Sequence, residues 1–199
     1  MKSLALIATA FLFASPLLAE AVPGKAAPAF EVKDANGKVQ KLADYKGKWV
    51  VLEWFNKDCP FVKKHYGSNN MQKIQKTYTD KGVVWLTVNS SAKGKQGFAD
   101  GKQALADAKE RNASPSAILL DSEGTVGKAY GAKTTPHMFV INPAQEIAYA
   151  GAIDDNDSSD PKVIEKSQNY VAAALDAGMA GKPIATASSR PYGCGVKYN

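Results

Sequence analysis

Apolar and polar residues alternate along this chain in two periods, and their order predicts strands alternating with helices. Phe30-Glu31-Val32 and Val39-Gln40-Lys41-Leu42 flank Asp34-Ala35-Asn36-Gly37, and Asn-Gly between such runs is a strong hairpin signal. Trp49 to Phe55 predicts the first central strand; its opening run, Trp49-Val50-Val51-Leu52, is continuously apolar, as in a strand covered on both faces. Helical character follows Pro60. Gly67-Ser68-Asn69-Asn70 predicts an interruption before Met71, Ile74 and Tyr78, whose spacing marks one helix face, and Lys81-Gly82 ends that helix.

Val83 to Val88 predicts the next buried strand, with a loop from Asn89 to Gln96 after it. Phe98, Gly101, Leu105 and Ala108 mark a second helix, Ala117 to Leu120 a strand, and Val126 to Tyr130 a short helical turn. His137 to Ile141 and Ile147 to Ile153 predict two strands joined at Asn142-Pro143-Ala144-Gln145. Asp154 to Asp160 is an acidic loop, and Ile164, Val171, Leu175 and Met179 line a final helix. The order predicts an α/β fold: a central mixed sheet flanked by helices, with an N-terminal β-hairpin. From Ala180 a Gly-, Pro- and Ser-rich tail carries Cys194.

The first residues change the picture of where the protein works. Lys2, the apolar run Leu4 to Phe13 and Ala19-Glu20-Ala21 have the layout of a secretory signal over residues 1–21, with cleavage after Ala19 as an alternative. The run is too short for the ~20 residues that span a bilayer. Three parts follow: the signal, a domain over 22–179 and the tail over 180–199. Export places both cysteines in an oxidising compartment, the bacterial periplasm, with no membrane span left after cleavage. The 199 residues suffice for one domain with a substantial core. The formal charge of +6 is dispersed, with Lys63-Lys64-His65 its tightest cluster, and supports weak attraction to acidic partners but not nucleic-acid binding.

Candidate chemistry centres on Cys59. It follows the polar link Asn56-Lys57-Asp58 and precedes Pro60, which suits the first helical position. A cysteine at a helix N-terminus faces unpaired N–H groups and the positive end of the helix dipole, which favour the thiolate. The plainer alternative is a small hydrophobe packed in a core. Glu53 interrupts an apolar strand; it is either a strand-end acid reaching solvent or a buried carboxyl raised in pKa. Cys194 stands about fourteen residues past the last predicted helix. At roughly 3.3 Å per residue, that stretch reaches most of a domain this size.

These motifs carry a resemblance. Cys59-Pro60-Phe61-Val62, Glu53 six residues before the cysteine, and Thr135-Pro136 before the strand His137 to Ile141 resemble the thioredoxin superfamily, in particular its peroxiredoxin-like branch, over roughly Ala21 to Met179. The resemblance implies a thioredoxin-like fold, a redox-active Cys59 with Val62 in place of a second cysteine, a proton-exchanging Glu53, and a cis Pro136 whose neighbouring backbone lies against the thiol. Cys194 would then be the partner thiol, in a catalytic or a structural disulfide, or else remain free or link to another chain. Peroxiredoxins carry a proline and a Thr or Ser at the positions of Leu52 and Asn56, so the peroxide-activating set is incomplete. Three functions remain open: a thiol–disulfide oxidoreductase, a thiol peroxidase acting on hydroperoxides, and a redox-inactive binding module or copper-binding protein of the same fold. The first two imply a protein or small-molecule disulfide or peroxide as substrate and a thioredoxin-like reductant.

Neither a cofactor nor a metal is assigned. Cys59, Cys194, His65 and His137 lack ligand spacing, and the loop from Asp154 has calcium-like spacing but no glycine in its sixth position. That loop is expected to be solvated. His65 is expected on the surface, and His137 has equal claims to either sheet face.

Overall fold

A computed structural model describes residues 21–199. The signal-like stretch lies outside them except for Ala21. The predicted hairpin forms β1 (Glu31–Lys33) and β2 (Val39–Lys41), with Asp34 accepting from the N–H groups of Asn36 and Lys38 inside the turn. β3 (Val50–Trp54) then enters the centre of the molecule and is buried along its whole length. It runs parallel to β4 (Val84–Asn89) and antiparallel to β7 (His137–Ile141). β5 (Ala117–Leu120) and β8 (Ile147–Gly151) complete a five-stranded mixed sheet in the order β5-β4-β3-β7-β8.

Strand alternation sorts the core onto two faces. On one, Val50, Leu52, Trp54, Leu86, Val88 and Phe139 pack with Val126 and Tyr130 of α4 (Thr125–Tyr130). On the other, Val51, Trp85, Met138 and Val140 meet α1 (Pro60–Gly67), α2 (Asn70–Thr79) and α5 (Tyr170–Met179). Cys59 belongs to this second face. His137 does not: it stands opposite Trp54 and its ring lies 4.5 Å from that of Phe139.

Three predicted boundaries move. The helix expected from Phe98 begins at Gly101, where Asp100 accepts from the N–H of Gln103, and runs to Glu110 as α3; Ala104 and Asp107 face inward while Leu105 is 41% exposed. The last helix is split: Ile164 belongs to a separate 3-10 turn, Pro161–Lys166, and α5 starts afresh where Asn169 accepts from the N–H of Ala172. The strand expected to reach Ile153 ends at Gly151. The tail is not loose. It crosses the molecule and forms β9 (Cys194–Gly195), antiparallel to β6 (Thr134–Thr135), and the Tyr198 hydroxyl donates to Ala132 O at 2.8 Å.

Candidate redox site

The site is built where β3 gives way to α1. Asn56 turns the chain: its Oδ1 accepts from the N–H of Asp58 at 2.9 Å, its Nδ2 donates to Gln96 O at 3.3 Å, and the N–H of Cys59 donates to Asn56 O. With its side chain engaged on both ends, Asn56 makes no hydrogen bond to the Cys59 sulfur. Cys59 is the N-cap of α1 and Pro60 its first residue, as the sequence predicts. Cys59 is 1% exposed, and its sulfur sits 3.0 Å from Thr135 O, which accepts from the thiol. The Thr135–Pro136 peptide is cis. Cys59 is therefore buried yet lies at both the helix start and the proline bend.

The tail brings the second sulfur to the same place. In the β6–β9 pairing Cys194 is the register partner of Thr135. Gly193 makes this approach possible, because it holds φ +132 and a methyl group on its Cα would collide with Thr135 O. Both cysteines are free, Cys59 buried and Cys194 half-buried. Burial pushes the Cys59 thiol up, but the polar groups gathered round its sulfur, Cys194 first and then the backbone of Val62 at the start of α1, outweigh that and bring it below the ordinary range. Cys194 moves the other way, to about 11, through burial and through donating to Cys59. The first proton to leave this pair comes from Cys59.

Glu53 is fully buried on the same sheet face. Its carboxyl accepts from the Tyr66 hydroxyl at 2.7 Å, Trp85 Nε1 at 2.8 Å, Gln75 Nε2 at 3.1 Å and the Thr87 hydroxyl at 3.4 Å. Burial raises its pKa against the pull of these four donors. Among the described residues no hydrogen bond joins Glu53 to Cys59; Tyr66, which donates to Glu53, is packed in the same cluster as the thiol. A cavity of about 20 Å³, room for roughly one water molecule, borders Tyr66 and Thr87.

Four residues that sequence reasoning left aside form a second buried group next to the pair. His65 and Lys64, on α1, are both buried, against the expectation of a surface cluster. Asp154 is 2% exposed, against the expectation of a solvated loop. Tyr192 of the tail inserts its hydroxyl between them. That hydroxyl donates to Asp154 Oδ1, lies 3.1 Å from His65 Nε2 and accepts from Lys64 Nζ at 3.4 Å. Lys64 Nζ also donates to Asn156 O at 2.7 Å and stands 3.5 Å from Asp154 Oδ2. The Asn70 amide donates to His65 Nδ1 at 2.8 Å, so the ring proton is on Nε2 and points at Tyr192. Burial, and then the Lys64 charge, lower His65 to about 3, which keeps the ring neutral at pH 7. With His65 committed here and His137 on the opposite face, the two histidines and two cysteines do not converge.

A model of the AhpC/TSA family matches residues 23–150. The chain belongs to this family. It has the thioredoxin-like fold, and its AhpC/TSA domain is similar to the thiol-disulfide oxidoreductase ResA of Bacillus subtilis, with 29% identity over 124 residues, 62% of this chain and 64% of that protein. It is also similar to the peroxiredoxin Bcp of the same organism, with 27% identity over 116 residues, 54% of this chain and 62% of Bcp. The chain thus matches less than two-thirds of the length of these curated relatives. The crystal structure of an uncharacterized conserved protein from Geobacillus kaustophilus superposes with a TM-score of 0.76 at 27% identity, covering 90% of this chain and 93% of that one. That likeness extends past residue 150, where the family match ends. Among the described residues no helix is long and apolar enough to cross a membrane.

Proposed function

We propose that this AhpC/TSA protein is a thiol–disulfide oxidoreductase whose redox couple is Cys59 with Cys194. The observation that carries the reading is the meeting of two free thiols at one place: Cys59 at the N-cap of α1 with its sulfur on Thr135 O, and Cys194 paired in register with that same Thr135 beside the cis proline. The Cys59 thiolate attacks a disulfide R–S–S–R, forms Cys59–S–S–R and expels one RS⁻. Cys194 loses its proton and attacks the Cys59 sulfur, expelling the second RS⁻ and closing the Cys59–Cys194 bond. Two electrons pass to the substrate, and a dithiol reductant, for which a thioredoxin-like protein is the proposed class, returns them. Cys59, with the depressed pKa, is the better leaving group when the couple is reduced.

Glu53 is the proposed proton exchanger, acting through Tyr66, which donates to its carboxyl; burial raises its pKa and so favours the protonated form that such a group must be able to hold and release. Pro136 is the proposed backbone support of the site. Exchange ranks ahead of peroxide reduction because Leu52 and Asn56 stand where peroxiredoxins carry proline and Thr or Ser, and the Asn56 side chain is engaged with Asp58 and Gln96 and not with the Cys59 sulfur. Residues 1–21 are proposed to direct export to the periplasm, which N-terminal sequencing of the exported protein tests.

The central test is oxidation of the reduced protein by oxidised dithiothreitol, followed by mass spectrometry of unreduced peptides. A Cys59–Cys194 peptide is expected, with none in Cys59→Ser or Cys194→Ser. Two free thiols after full oxidation would end the reading. Stopped-flow mixing with hydrogen peroxide checks the ranking: loss of the Cys59 thiol faster than its reaction with a disulfide would reverse it.

A further inference from the structure

The four-residue group beside the thiols has no part in the exchange chemistry, yet it is made of groups that are costly to bury. Lys64 and Asp154 are charged and sealed from water, and Asp154 Oδ2 has no hydrogen-bond partner. Such a pair is weak evidence for stability, since apolar residues of similar volume often serve as well, and its better-attested use is to fix one arrangement over others. What this group fixes is the tail. Tyr192 offers one hydroxyl, and all three other members address it. Its ring adds an aromatic contact, 5.6 Å from the Phe61 ring, and a cation–π contact with the Lys64 ammonium at 5.2 Å.

The placement relative to the sulfurs is what gives this consequence. Phe61, Lys64 and His65 follow Cys59 on α1, so the thiol and the grip on Tyr192 are parts of one rigid helix. In the tail, Tyr192 and Cys194 are separated only by Gly193, whose backbone is pressed against Thr135. Two residues span at most about 7 Å, which leaves no slack between the gripped ring and the second sulfur.

We propose that Tyr192 is a positioning residue for the thiol couple: buried Lys64, His65 and Asp154 grip its hydroxyl, and that grip holds Cys194 on Cys59 and seals the Cys59 sulfur beneath the tail. The inference rests on the reading of Cys59 and Cys194 as a couple, and it deepens that reading by making the local concentration of Cys194 depend on a contact that neither sulfur makes. Loss of a hydrogen bond to a charged group corresponds to about a tenfold or greater change in the docking equilibrium.

Two measurements on the full chain test it, with Tyr192→Phe, which keeps the ring, and Asp154→Asn, which keeps the shape. In the first, the equilibrium between the Cys59–Cys194 disulfide and dithiothreitol is measured after acid quench. Each variant is expected to favour the dithiol about tenfold more than wild type. The second uses the Cys194→Ser background and needs no disulfide: the pH-independent rate of Cys59 thiolate alkylation by iodoacetamide is expected to rise about tenfold on adding Tyr192→Phe. Near-ultraviolet circular dichroism confirms that each variant is folded. Unchanged rates and equilibria in folded Tyr192→Phe would overturn the proposal. If wild type forms no internal disulfide, the couple reading fails, and the alkylation rate still decides whether Tyr192 holds the tail.

Discussion

Glu53 and Asp154 are both buried carboxylates within reach of α1, and their settings are opposite. Glu53 stands in the middle of a central strand, and its four donors come from α1, α2 and β4, elements that pack together as one body. Asp154 stands just past β8 and faces a lysine, a histidine and a tyrosine, with one oxygen left without a partner. The donors of Glu53 belong to the core of the domain. The only donor that Asp154 receives from the tail is the Tyr192 hydroxyl, and that residue's place depends on the tail being docked. The first carboxylate is part of the scaffold; the second sits at a joint. A buried polar group whose partners are all core residues resists every disturbance short of unfolding, while one that shares a partner with a peripheral segment gives way with that segment.

The comparison can be broken in several ways. The largest effect is expected at Glu53: Glu53→Leu leaves the donors of Trp85, Gln75 and Tyr66 facing hydrocarbon and is expected to cost about 3 kcal/mol or more of global stability in urea unfolding. A neutral outcome would remove Glu53 from the scaffold. Next comes Asp154→Ala, which strands the buried Lys64 charge. Its cost, about 2–3 kcal/mol, is expected to appear first as tail release, with Cys59 becoming open to alkylation before the domain unfolds. Simultaneous loss of both signals would erase the distinction between scaffold and joint. Gly193→Ala is expected to free the tail with the domain's unfolding midpoint shifted by no more than about 0.5 kcal/mol, since the collision with Thr135 affects only the β6–β9 pairing. A protein with Cys59 still sealed would show that Tyr192 alone suffices.

The most gradual effect is on pH dependence. Burial, then the charge of Lys64 for His65 and of Lys133 for His137, depresses the two imidazoles to about 3 and about 4. In the unfolded chain both return to about 6.5, so between these values the unfolded chain binds more protons. The stability they contribute is complete above pH 6.5 and declines as pH falls, by up to about 1.4 kcal/mol per pH unit for each ring. Glu53 acts in the opposite sense, because a raised carboxyl adds stability as pH falls through its folded value. Urea unfolding at pH 7 and pH 5 in the Glu53→Gln background therefore isolates the histidines, and equal midpoints would contradict their burial as neutral rings.

Much of this was readable from residue order, and what escaped did so for one reason. The strands, the break at Gly67 to Asn70 and the capping position of Cys59 follow from patterns that extend over a few neighbours. The joint at Asp154 does not. Lys64 and His65 are polar residues next to Lys63, and Asp154 opens an acidic run, so each read locally belongs to solvent. All three meet at Tyr192, 38 positions from Asp154 and over a hundred from α1, a separation that no period of two or 3.6 can register. A faint signal was present: Phe61, Lys64 and His65 fall at i, i+3 and i+4, a stripe of α1 distinct from the Val62–Tyr66 core stripe and one an aromatic could cover. The split of the last helix and the exposure of Leu105 were missed differently, because apolar spacing alone does not reveal the caps at Asn169 and Asp100.

Nearly the whole domain lies between the two sulfurs, and this couples folding to electron affinity. A denatured chain has little reason to hold residues 59 and 194 together, whereas the folded dithiol already does. By thermodynamic linkage, the preference of the native state for the bond equals the extra resistance to unfolding that the bond confers. The reduction potential of the couple and the stability gained on oxidation are then two readings of one free energy, and a variant that loosens the strand at 194–195 makes the bond easier to reduce and, by the same amount, less able to resist unfolding.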